Sequence, residues 1–130
     1  MKQIRKYTEE ELKKFNIALQ VCSYISQEPV DKILEEGRGK RRCSDIRFIL
    51  MKIIHKNTGL SRELIGNLIG NRDHSTVTYG LIQYDNMYFS NKSFKNLAKS
   101  CKKEFGHRYF IINKIVKNKE YCKTIGKYVL

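Results

Sequence analysis

Leu12, Phe15, Leu19, Cys22 and Ile25 recur at three- and four-residue spacing, an apolar stripe that predicts a helix over about residues 9–26. Thr8 followed by Glu9, Glu10 and Glu11 supplies a capping box at its start: a threonine hydroxyl and a glutamate three residues on satisfy N–H groups that the first turn leaves orphaned. Pro29, the only proline, suits the first turn of a second short helix, over about 29–35. Ile46, Ile49, Leu50, Ile53 and Ile54 make the best-formed stripe in the chain, with Ser44 as the expected N-cap, Asp45 placed for the helix dipole and Gly59 as the stop. Ser61 then caps a shorter helix carrying Leu64, Ile65 and Leu68, which Gly70-Asn71 breaks. Asp73 caps a further helix to about Tyr88, with Val77, Leu81, Tyr84 and Tyr88 on one side and Gly80 beside them, where another backbone can approach.

The C-terminal quarter is less regular. Ser93 is a suitable cap for a helix whose apolar face is Phe94, Leu97, Ala98, Cys101 and Phe105, whose wet side is lysine, and whose expected end is Gly106. From His107 to Leu130, β-prone residues such as Tyr109, Phe110, Ile111 and Ile112 mix with lysines without alternation. The pattern there is open between a hairpin turning at Asn118-Lys119, a helix, and a tail that orders on binding. The reading is an all-α, mostly helical chain: a helical unit over 1–90, followed over 91–130 by a lysine-rich helix and extension.

Charge changes the picture more than composition does. The 130 residues carry 26 Lys and Arg against 13 Asp and Glu, a net charge of +13 that attracts polyanions. The excess is concentrated: residues 37–60 hold seven basic and one acidic side chain and residues 91–130 hold eleven and two, while 1–36 and 61–90 are each at −1. Within the first block Gly37-Arg38-Gly39-Lys40-Arg41-Arg42 has neither periodicity nor apolar content and reads as an exposed basic loop. No run approaches the ~18 apolar residues of a membrane span. The N-terminus turns acidic where a secretion signal needs an apolar stretch, so a cytoplasmic protein with reduced thiols at Cys22, Cys43, Cys101 and Cys122 is expected.

Catalytic chemistry has little to stand on. Asp73-His74-Ser75 contains the residue types of a hydrolytic triad, but consecutive helical residues point about 100° apart and cannot nest their hydrogen bonds. His55, His74, His107 and the cysteines lack finger or ribbon spacing for zinc, and the carboxylates after residue 45 are too sparse for a metal-dependent nuclease. No catalytic residue, metal or cofactor is expected.

The order over 44–88 of helix, glycine-containing turn, short helix, break, helix is a helix-turn-helix layout. Its last helix opens on Arg72-Asp73-His74-Ser75-Thr76-Val77, short polar side chains of mixed donor and acceptor character, as readout of base edges in a major groove requires. The basic loop, one helix away, suits phosphates or a narrow A·T minor groove. Gly66 to Val77 resembles the C-terminal DNA-binding domain of the bacterial replication initiator DnaA, whose motif is a small-residue turn followed by R-D-H-[ST]-T-V. Upstream, the basic loop, Arg47, Thr58, Ser61 and Ile65-Gly66 also fit, and Val21, Tyr24 and Ile33 are similar to the family's preceding helix, so the resemblance covers roughly 16–90.

The resemblance implies a Trp-repressor-like helix-turn-helix that binds double-stranded DNA at an asymmetric, A·T-rich, DnaA-box-like site. On that footing Asp73, His74 and Ser75 read bases, while Thr76 and Arg47 contact phosphate. Arg38, Lys40, Arg41 and Arg42 of the loop, with Ser61, Arg62 and Arg72, complete the candidates for phosphate or minor-groove contact. The chain departs from the family at Gly39, which stands where a minor-groove arginine is usual, and at Phe48 and His55, where polar backbone contacts are usual. The G-x-x-x-x-G-K-[ST] phosphate loop of the family's ATPase module does not occur, so ATP-driven initiation is not expected of this chain alone. A second reading makes the 94–105 face and the basic tail a docking surface for a protein or membrane partner.

Overall fold

Local signals and tertiary docking together set where each helix begins. The computed structural model describes residues 7–124 other than 36 and 38, with side chains described as far as residue 115. Among the described residues the chain is all-α, in six helices: α1 (Glu9–Ser26), α2 (Val30–Ile33), α3 (Arg41–Asn57), α4 (Arg62–Leu68), α5 (His74–Ser90) and α6 (Lys92–Thr124). At α1 the capping box forms reciprocally: the Thr8 hydroxyl accepts from the Glu11 N–H at 3.0 Å, and the Glu11 carboxylate accepts from the Thr8 N–H at 2.9 Å.

The isoleucine-rich α3 is the central post. Ile46, Ile49, Leu50, Ile53 and Ile54 are buried as the stripe predicts, against α1 on one side and α4 and α5 on another. Its start differs from expectation. The helix begins at Arg41, with Lys40 as an N-cap that makes no side-chain cap hydrogen bond, so Ser44 and Asp45 lie inside the helix. Docking replaces the cap: Cys43 is buried in the first turn, and Arg42 donates to the Ser26 carbonyl at 3.0 Å.

Two expectations about α6 also change. Its first turn is capped by Asn91, whose side-chain oxygen accepts from the Phe94 N–H at 3.0 Å, rather than by Ser93. It then runs through Gly106 to Thr124. A Cβ at Gly106 would meet nothing within 4 Å, so this glycine merely fails to favour the helix, a cost of about 1 kcal/mol. Tyr109 and Ile112 extend the apolar stripe onto the core, and Glu104 pairs with Arg108 one turn on at 2.7 Å. Of the three possibilities for 107–130, the helix is realised as far as 124; residues 125–130 lie outside the described residues.

Phe94, Ala98, Cys101 and Phe105 are buried in the same core as α1 and α3, so the 94–105 face is filled from within and is not a free docking surface. Apolar packing thus continues across the expected boundary near residue 90. α6 runs antiparallel along α1, where Asn113 accepts from Lys13 at 2.8 Å and Tyr109 donates to Glu10. Cys22 and Cys101 meet there as buried thiols, and the hydrogen bond with Cys101, followed by burial, pushes the Cys22 thiol up. Leu12, the first member of the α1 stripe, remains 38% exposed. No helix among the described residues is long and apolar enough to cross a membrane.

Candidate nucleic-acid interface

The turn between α4 and α5 is built from close backbone approach. Ser61 caps α4 by accepting from the Leu64 N–H at 3.2 Å. Gly70 and Asn71 then both take left-handed backbone conformations, with φ of 71° and 56°, which glycine and asparagine tolerate best. The Arg72 N–H donates back to the Gly66 carbonyl at 2.8 Å. A Cβ on Gly66 would collide with the Arg72 carbonyl, which is why the turn needs its smallest residue there.

Asp73 completes the turn as N-cap of α5, accepting at Oδ1 from the Thr76 N–H at 3.0 Å and from the Ser75 hydroxyl at 2.9 Å. Those bonds, the backbone one foremost, hold its carboxyl below the usual carboxylate range. Asp73, His74, Ser75 and Thr76 are all exposed, so the first turn of α5 presents a fixed polar edge to solvent.

Arg72 holds the start of the basic loop against that edge, and Arg47 anchors α2 just before it. Arg72 donates to the carbonyls of Ile69 at 2.7 Å, Glu35 at 2.8 Å and Gly37 at 2.5 Å, joining the base of α5 to the loop. Arg47, expected on phosphate, is only 3% exposed and donates to the Ile33 carbonyl at 2.7 Å and the Lys32 carbonyl at 3.1 Å. Its guanidinium thus anchors the end of α2, while Arg47 also borders the concavity on the α3 side.

Between loop, α3 and α5 lies an open concavity of about 1040 Å³. Arg41, Ser44 and Phe48 line it from α3, and Ser75, Thr76 and Tyr79 from α5, with Asp73 at the turn. Phe48 and Tyr79 meet edge to face across it, ring centroids 6.1 Å apart. Phe48 also lies against Gly80, so the close neighbours that glycine admits are the Phe48 and Met51 side chains rather than a backbone.

The other predicted residues are placed around it. His74 heads α5 outside the lining, and Lys40 and Arg42 turn toward Glu28, at 3.4 Å and 3.5 Å from its carboxylate. Arg41, at the first turn of α3, is more exposed than Lys40 or Arg42, its side chain 83% accessible and loosely paired with Asp45 at 3.8 Å. Ser61 and Arg62 sit at the start of α4, beyond the lining. Arg38 lies outside the described residues. Sequence reasoning missed Glu28, an 8%-exposed carboxylate that latches the loop, and the anchoring roles of Arg47 and Arg72. The available signal was an isolated acid before Pro29 facing a basic run.

Residues 15–83 match the family model described as bacterial dnaA protein helix-turn-helix. Over 94 residues the chain is 24% identical to the chromosomal replication initiator protein DnaA of Picosynechococcus sp.. That match covers 72% of this chain and 21% of the relative, so the chain spans about a fifth of that protein's length. No solved structure gives a significant match.

Proposed function

The chain belongs to the bacterial DnaA helix-turn-helix family, and from that premise we propose that it reads double-stranded DNA sequence-specifically, at an asymmetric A·T-rich box. The observation that carries the reading is the single concavity that joins the first turn of α5 to the arginine-anchored basic loop and α3. In this reading α5 enters the major groove at its N-terminus, and Asp73, His74 and Ser75 meet base edges. Thr76, Arg41, Ser61 and Arg62 take phosphates, Lys40 and Arg38 serve the adjacent minor groove or backbone, and Arg42, Arg47 and Arg72 hold the loop in register.

The role that follows is control of replication or of transcription from such boxes, in the cytoplasm, with ATP hydrolysis left to other components. Selection from a randomised duplex pool tests the reading. Enrichment of one asymmetric A·T-rich box supports it, and a bound pool without sequence bias contradicts it. A protein-interaction reading keeps only the outer part of α6, where Phe110 and Ile115 are 63% and 50% exposed.

A further inference from the structure

We propose that the lysine face shared by α3 and α6 binds phosphates of the same duplex outside the box, as a second, sequence-independent DNA contact. The proposal rests on the DNA-reading function above and extends it to α6, which the family match, ending at residue 83, does not include.

Two helices bring their lysines to one place. Lys52 and Lys56 of α3 and Lys102 of α6 line a cleft of about 260 Å³ floored by Phe105 and Tyr109. Lys52 and Lys102 lie 5.3 Å and 6.0 Å from the centre of the Tyr84 ring, and Lys95 and Lys102 lie 5.5 Å and 5.7 Å from that of Tyr88. Their ammonium groups lie over the aromatic rings, and Lys102, like Lys56, is exposed, so a phosphate can reach them. Lys52 pairs with Asp85 at 3.3 Å, whereas Lys56, Lys95 and Lys102 make no ion pair with a described residue.

The face is continuous with the recognition concavity. Arg41, Phe48, Lys52 and Lys56 succeed one another along one side of α3, a row about 22 Å long at the helical rise of 1.5 Å per residue. Its near end lines the concavity and its far end lines the lysine cleft. Beside that far end, burial and then the fields of Arg62, Lys52 and Lys56 lower the pKa of His55, so these cations act on a common region. α6 carries ten basic and two acidic side chains, a balance that repels a second copy of the chain and suits a polyanion.

Binding of the full chain to box duplexes of about 13 and about 35 base pairs, and to a scrambled long duplex, tests this across a salt series. The expected result is tighter binding to the long box duplex after correction for site number, with a log–log salt slope steeper by about two. Lys56→Ala/Lys102→Ala should lower long-duplex affinity by about tenfold or more near 0.1 M salt and leave the short duplex unchanged. Lys56→Arg/Lys102→Arg should retain the long-duplex advantage, and circular dichroism checks that both variants fold. Equal affinity for the two lengths, or an equal loss on both, overturns the proposal and leaves the face to another anionic partner. Absence of any box preference would instead defeat the sequence-reading function, while the scrambled long duplex still scores the lysine face independently.

Discussion

Asp73 Oδ1 accepts from both the Thr76 N–H and the Ser75 hydroxyl, so a residue assigned to base readout also fixes the posture of its neighbours. Because these bonds favour the carboxylate, its folded pKa lies below the unfolded value of about 3.9. The associated stability is therefore present above the unfolded value and lost as pH falls through the folded one. The melting temperature of Asp73→Asn should accordingly lie below wild type at neutral pH, with the gap shrinking in acid. A gap constant from pH 7 to pH 2 would refute this linkage. Gly66 carries a steric constraint. Its missing Cβ is what lets the Arg72 carbonyl approach, so Gly66→Ala should cost about 2 kcal/mol by overpacking. Thermal denaturation at neutral pH measures it; an unchanged melting temperature would mean the turn relaxes freely.

Helix ends announced by local chemistry are legible in the sequence, and ends set by tertiary docking are not. The starts of α1, α4 and α5 coincide with Thr8, Ser61 and Asp73, each bonding within its own first turn. The start of α3 is hidden because Arg42 and Cys43 dock on the α1–α2 connection fifteen or so residues away, which no local pattern records. α6 continues past Gly106 because Tyr109 and Ile112 pack onto the core, so burial outweighs both the glycine and the β-propensity of those residues. The recognition turn was legible as a motif. The loop anchors were not, since Arg47 and Arg72 bond to carbonyls of Ile33 and Glu35 that only the fold brings near. One side chain where α5 meets α6 is poorly satisfied. The Tyr84 hydroxyl is buried with no hydrogen-bond partner among the described residues, and burial pushes its pKa up to about 12. Tyr84→Phe removes that orphaned group and should leave stability equal or raise it by up to about 1 kcal/mol. A lower denaturation midpoint would show that the hydroxyl has a partner in solution.

Folding places α3 and α6, which carry most of the two basic blocks 37–60 and 91–130, against each other, with the near-neutral α4–α5 unit beside them. That separates the expected sources of affinity from those of discrimination: cations on the loop, α3 and α6 meet the backbone, and the short polar residues of α5 meet the bases. Arg41→Ala should therefore weaken binding to all duplexes alike and flatten the salt slope by about one unit, read from a titration series. A loss confined to one sequence would move Arg41 from backbone contact to base readout. The whole arrangement is tested most directly by fluorescence anisotropy of wild type and His74→Ala on a short duplex with a DnaA-type box and on its scrambled counterpart. The expected result is a wild-type preference for the box of about a thousandfold, with His74→Ala losing roughly 1–3 kcal/mol on the box and little on the scrambled duplex. Equal wild-type affinity for both duplexes, or an equal loss on both in the variant, would contradict the assignment of α5 as the sequence reader.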